Sequence, residues 1–184
     1  TIPSGVFCER PCNVIGNGVV IDPIEFLKEA KELEAIGINL RKKLKISHKA
    51  HLIVPTHRLL DAASEAAKGE EKIGSTLKGI GPAYMDKTGR NGLRVGDLQS
   101  PDLKVKFEQL KKKHLELLSL YNYAGDSGEL EKKWFEAADY IRSLDIVSGE
   151  YFINEKLREG KLVLAEGAQG SMLDIDFGTY PFVT

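Results

Sequence analysis

The apolar run Leu162-Val163-Leu164 passes through Ala165 into Glu166-Gly167-Ala168-Gln169-Gly170, and this junction constrains the fold more than any other stretch of the chain. A short strand that delivers a polar, glycine-flanked loop is how α/β proteins present ligand-binding side chains. Residues 162–164 are therefore expected to form a strand of an α/β fold. An acidic pair, Asp174 and Asp176, and then Gly178-Thr179-Tyr180-Pro181 follow, and the chain ends four residues after Tyr180. With Thr1 in place of an initiator Met, that ending leads us to expect a segment of a longer protein.

Upstream, residues 14–21 read as a turn into a short buried strand. Asp22-Pro23-Ile24-Glu25 then supplies a helix start, with Asp22 as N-cap, Pro23 at the first helical position and Glu25 completing a capping box. That helix is expected to reach Ile36 and stop at Gly37. Residues 51–54 are a second short strand, and Thr56 to Lys68 an alanine-rich helix ending at Gly69. Ser100-Pro101-Asp102 opens a long helix with Leu103, Phe107, Leu110, His114, Leu117 and Tyr121 on one face. After a break at Asp126–Gly128, a second long helix aligns Leu130, Trp134, Ala137, Ile141 and Leu144. The two read as an antiparallel helical hairpin, a subdomain over residues 100–148.

Between these helices, Gly74, Gly79, Gly81, Gly89, Gly92 and Gly96 punctuate a stretch rich in hydroxyls and cations. Such glycine density predicts irregular backbone or close approach to another group. Within it, Gly74 to Tyr84 combines glycines with Ser75, Thr76 and Lys78, the donors a phosphate needs. It lacks the Gly-Lys-Ser/Thr of a Walker loop, so a plain surface connection is the alternative. Arg90 and Arg94 would share a face if helical, as phosphate-binding forks or as solvated side chains. The Gln169 amide can polarise a substrate carbonyl or satisfy its own loop. Asp174 and Asp176 lack a third metal ligand and read as structural. The four histidines have no catalytic company in sequence and read as structural or solvated.

Composition narrows the class. At 184 residues and a net charge of −1, the chain can bury a real core and shows no basic excess for nucleic acid. No apolar run can span a bilayer, and no signal peptide is visible. Cys8 and Cys12 are too few for a zinc site and read as reduced thiols, which fits a cytoplasmic protein.

Three stretches together carry a resemblance. IGNGVVIDP (15–23), GSTLKGIGPAYMDKTGRNGLRVGDL (74–98) and EGAQGSMLDIDFGTYPFVT (166–184) closely resemble adenylosuccinate synthetase, in the same order and separation. The resemblance covers essentially the whole chain and implies residues 1–184 are the central segment of one synthetase domain. It implies an α/β fold, a partial and mostly parallel sheet of a P-loop NTPase-like domain. It also implies a homodimeric ligase that joins IMP and L-aspartate with GTP and Mg²⁺ to give adenylosuccinate, in purine biosynthesis. By motif, Thr76 and Thr184 resemble contacts to the IMP phosphate, and Arg90 the arginine that reaches the partner subunit's IMP site. Gln169 resembles the glutamine beside the 6-oxygen of the IMP base, which supports catalysis. Arg94 is a weaker candidate in the same loop.

The departures matter equally. The family's N-terminal phosphate loop, with its catalytic aspartate and following histidine, is absent, as is the C-terminal portion that binds aspartate and guanine. No residue of this chain is therefore expected to hold Mg²⁺ or GTP. Lys78 stands where arginine is usual, and Ala165 where a bulky apolar residue is. The isolated chain is expected to be inactive, and a non-catalytic dimerisation or nucleotide-binding module is the alternative reading.

Overall fold

A computed structural model describes residues 1–69, 74–167 and 169–183. Five short strands and seven α-helices are assigned among them. Strand β1 (Asn13–Ile15) pairs with β3 (Leu44–Ser47), and β3 with β5 (Asp145–Val147), all parallel, in the order β1-β3-β5. Ile46 lies opposite Ile15 on one side and Ile146 on the other, so β3 is the centre of the sheet. A second parallel pair joins β2 (Val20–Ile21) to β4 (His51–Leu52). The expected α/β class with parallel strands is thus observed.

The helices follow from local chemistry. Helix α1 (Pro23–Ala35) starts where Asp22 Oδ1 accepts the N–H groups of Ile24 and Glu25, at 3.0 and 3.4 Å. Glu25 does not complete the capping box; its carboxylate accepts from Arg58 Nη2 at 3.3 Å instead. Gly37, at φ +89°, closes the helix as expected. The short helix α2 (Leu40–Lys43), capped by Asn39, leads straight into β3. Helix α3 (Pro55–Ala67) leaves β4 after Pro55 at its first position. Helix α4 (Ile80–Gly89) runs through the glycine-rich stretch that the sequence marks as irregular, so this expectation is corrected there.

Helix α5 (Leu103–Leu120) buries Phe107, Leu110, His114 and Leu118. The expected face drifts at its C-terminal end, where Leu117 and Tyr121 are exposed. Helix α6 (Gly128–Arg142) buries Trp134, Ala137, Ala138 and Ile141. The two helices meet where the Phe107 ring lies 5.0 Å from Trp134 and 4.9 Å from Phe135, and where Lys111 pairs with Glu131 at 2.8 Å. Each also docks on a different partner, α6 on α1 and α5 on α3. Trp134 is buried and donates from Nε1 to the Ile53 carbonyl at 2.7 Å, which ties α6 to the end of β4. One apolar cluster, including Phe26, Leu40, Ile46, Phe107, Trp134 and Ile141, forms the core, with a smaller one at Leu60, Ala63 and Leu118. Helix α7 (Gly149–Arg158) follows β5 and is the last α-helix among the described residues.

The stretch 162–164 is not a strand: Leu162 is 100% and Leu164 93% exposed. An isolated strand gains nothing from an alternating pattern until a neighbour accepts its N–H groups, and none of the described strands does so.

Candidate functional site

Helix α4 is the scaffold for the candidate residues. Gly79 precedes it at φ +76°, and a Cβ there would lie 2.9 Å from the His57 carbonyl carbon and Cβ. Only glycine lets the start of α4 approach α3 this closely. The preceding loop is held by two carboxylates of α3. Glu65 Oε1 accepts the Gly74 and Ser75 N–H groups at 2.7 and 3.4 Å. Asp61 accepts from Ser75 Oγ at 2.6 Å and from the Gly79 N–H at 2.8 Å. The Gly74, Ser75 and Gly79 N–H groups are therefore paired within the protein and are not free for an anion. What the loop presents outward is Thr76 and Lys78, both exposed.

At its other end α4 stops at Arg90, a left-handed residue with φ +63°. The chain then turns into 93–96, which lies antiparallel beside β4: Leu52 N–H donates to the Leu93 carbonyl and Val95 N–H to that of Ala50, both at 2.8 Å. Leu93 and Val95 point inward and Arg94 outward. Arg90 and Arg94 therefore do not share a helical face, because a strand-like segment separates them. Lys87 latches α4 to the Gly16–Gly18 turn, donating to the Asn17 carbonyl at 2.8 Å, and Tyr84 donates to that of Gly18 at 2.8 Å. Burial and the nearby Arg94 push the Lys87 ammonium below its usual range. His51 is buried, its Nδ1 without a hydrogen-bond partner among the described residues.

Beneath α4 lies a group that spacing alone does not reveal. Asp86 Oδ2 meets His57 Nε2 at 3.0 Å and His114 Nε2 at 2.7 Å, and its Oδ1 accepts from Lys113 at 3.3 Å. Asp86, His57 and His114 are buried. Burial alone would raise the Asp86 carboxyl, but hydrogen bonds from His114 and His57 outweigh it and hold the group well below the usual carboxylate range. Burial pushes His57 down, so its ring stays neutral. His57 Nδ1 accepts the Val54 N–H at 2.9 Å, which places the remaining ring proton on Nε2, facing Asp86.

That proton position decides the metal question. His57, Asp86 and His114 are the one group among the described residues with three potential ligand atoms close together. A metal would need the Nε2 lone pair of His57, and that nitrogen carries the proton. Two imidazoles and one carboxylate also do not fit Mg²⁺, which takes oxygen ligands in an octahedron. Asp174 Oδ1 is taken up by the N–H groups of Asp176 and Phe177, at 2.9 and 3.0 Å, a structural turn.

Of the candidate residues, Thr76 and Arg90 flank α4, ten residues long and hence about 15 Å apart along its axis. Gln169 lies on an exposed bend near the C-terminus. No hydrogen bond joins these three among the described residues, and Thr184 lies outside them. Cys8 and Cys12 are free and exposed. No described helix is long and apolar enough to cross a membrane.

Comparison with known proteins fits this arrangement. The family model described as adenylosuccinate synthetase matches residues 1–184. The chain is 58% identical to the adenylosuccinate synthetase of Flavobacterium johnsoniae over 186 aligned residues, covering 100% of this chain and 44% of that protein. It is 57% identical to that of Parabacteroides distasonis, covering 43% of it. A fully ligated adenylosuccinate synthetase from Plasmodium falciparum superposes with a TM-score of 0.80 at 38% identity, over 100% of this chain and 42% of that one. The chain thus spans less than half the length of the relatives it matches.

Proposed function

Because the chain belongs to the adenylosuccinate synthetase family, we propose that it contributes one part of the IMP site of a GTP-dependent ligase. The parent reaction passes the γ-phosphoryl of GTP to the 6-oxygen of IMP, and the amine of L-aspartate then displaces that phosphate to give adenylosuccinate. In this reading Thr76 and Thr184 contact the IMP phosphate. Arg90 reaches the IMP site of a partner subunit in a homodimer, and Gln169 sits beside the 6-oxygen. The guanidinium fork of Arg90 and the hydroxyl of Thr76 suit a phosphate, and an amide suits a carbonyl oxygen. Residues 1–184 are one central segment, with residues 100–148 as its helical hairpin. The cytoplasm is the compartment that two free thiols and a purine-nucleotide substrate suit best.

The observation that carries the reading is a family match running unbroken from residue 1 to residue 184. It brings along a loop and a turn that present Thr76 and Arg90 outward at the two ends of one helix. Phosphoryl transfer needs positioning and concentrated positive charge at the transferred group. The donors described here support IMP recognition, and Mg²⁺ and GTP fall to residues beyond these 184.

Two assays test this. Alone, the chain should give no adenylosuccinate from IMP, GTP and aspartate. Grafted in place of the matching segment of the Flavobacterium johnsoniae enzyme, it should restore turnover, and Arg90→Ala or Gln169→Ala should cut kcat/KM by about 100-fold, the order expected for one transition-state donor. A graft that folds and stays inactive, or one indifferent to both substitutions, overturns the reading. Sedimentation of the active graft should show a dimer.

A further inference from the structure

The His57–Asp86–His114 cluster lies outside the residues assigned to IMP, yet it holds the element that carries Arg90. We propose that Asp86, clamped between His57 and His114, is the positioning residue of the Arg90 turn, so that the placement of the guanidinium is set from the protein interior. Its consequence for ligand binding rests on the reading of Arg90 as an IMP contact.

Asp86 acts through both its backbone and its side chain. Its backbone carbonyl accepts the N–H groups of Asn91 and Gly92, at 2.9 and 3.3 Å, and the Arg90 N–H turns back to the carbonyls of Asp86 and Lys87. The whole turn therefore hangs from the last carbonyls of α4. Its side chain is pinned from two other helices: His57 on α3 and His114 on α5 donate to one carboxylate oxygen, and Lys113 to the other. The histidines are themselves oriented. His57 accepts the Val54 N–H, and His114 Nδ1 lies 2.6 Å from Thr56 Oγ1. Each ring therefore has both nitrogens engaged, and neither can swing without orphaning a buried group.

Arg90 needs such support. A non-glycine residue at φ +63° is strained and persists only where its surroundings over-determine it. The start of α4 is braced on His57 as well, because Gly79 packs on its backbone and Cβ. One α3 residue thus touches both the start of this helix, at Gly79, and its C-terminal half, at Asp86. The connection is contiguous, from Thr56 through His114 and Asp86 to the Asn91 and Gly92 amides.

Amide hydrogen exchange on the 184-residue chain tests the proposal. His114→Leu should speed exchange at Asn91 and Gly92 by tenfold or more, while Leu44 and Ile46 of β3 keep their protection. His114→Gln can still donate to Asp86 and should restore most of the loss. Asp86→Asn keeps volume and shape, so it repeats the comparison should the leucine variant not fold. Equal acceleration in the turn and in β3 means a merely structural cluster and overturns the proposal, as does unchanged exchange at Asn91 and Gly92. IMP titration of the active graft described above separates this from the reading of Arg90. Arg90→Ala and His114→Leu should weaken IMP by similar factors, and the double variant no further. If Arg90→Ala leaves IMP affinity intact, the IMP reading of Arg90 fails and the exchange data still decide on positioning.

Discussion

Asp86 stays ionised in the interior because His57, His114 and Lys113 all donate to its carboxylate, and the burial of His57 beside it has a consequence for pH. Burial holds His57 below its unfolded value of about 6.5, so below that pH the unfolded chain binds a proton that the folded chain refuses. Its contribution is complete above about pH 6.5 and is lost as the pH falls toward the folded value. His51 acts in the same sense, through burial and the neighbouring Lys87 and Arg94. Asp86, held low, adds a loss with the same sign only below about pH 4. Urea unfolding from pH 8 to 5 should therefore show stability falling below about pH 6.5, by at most about 1.4 kcal/mol per pH unit for each histidine. His57→Gln should remove roughly half of that slope. A free energy independent of pH over this range contradicts the downward shift of His57 and His51. None of this is legible along the chain: Asp86 is 29 residues from His57 and 28 from His114. The candidates Thr76, Arg90 and Gln169 are legible, because short motifs of fixed spacing mark them. The pairing of the Gly74 and Gly79 amides with Glu65 and Asp61 is not, since it depends on how α4 lies across α3.

Capping chemistry is the most readable layer among the elements. Asp22 opens α1 with one oxygen and, with the other, binds Arg58 of α3, whose Nε lies 3.0 Å away. Asp22→Ala removes the cap and leaves the guanidinium half-buried without this partner, at a cost of about 1–3 kcal/mol. Asp22→Asn keeps an acceptor for the helix start and gives up the ion pair, so its cost should be about half as large. Denaturant midpoints of the two variants decide. Equal losses would assign the whole effect to Arg58 and none to the cap. The long helices are legible for a related reason, since three or four turns of spacing leave a pattern. The sheet's central strand is not. Leu44-Lys45-Ile46-Ser47 gives only two periods of alternation, hidden in a lysine-rich run, and Lys45 is placed there by its pairing with Asp145 on β5. Three- and four-residue strands carry too little pattern to stand out until their neighbours are known.

The whole chain divides unevenly between what is packed and what is not. The apolar cluster draws on strands and helices from Val6 to Leu144, and on Ile146 at its margin. The described residues from Glu159 to Val183 add nothing buried: Leu162, Leu164 and Phe177 are 100%, 93% and 87% exposed. Ser4 Oγ donates across to Glu166 Oε2 at 3.3 Å, an exposed hydrogen bond of little net value. The segment that most constrains the fold class in the sequence is therefore the one that least stabilises this chain. Its apolar residues follow a strand pattern that the described strands leave unpaired, and Gln169 faces solvent for the same reason. Removing residues 161–184 should accordingly leave the unfolding midpoint within about 0.5 kcal/mol of the parent, with nearly the same denaturant slope, because the slope follows the surface exposed on unfolding. Ile46→Ala at the centre of the sheet should cost about 2–5 kcal/mol in the same measurement. A large loss of stability or a clearly shallower slope in the shortened chain would show that 161–184 packs onto the body in solution. Gln169 would then be held in place within these 184 residues, whereas an unchanged transition leaves its orientation to contacts made outside them.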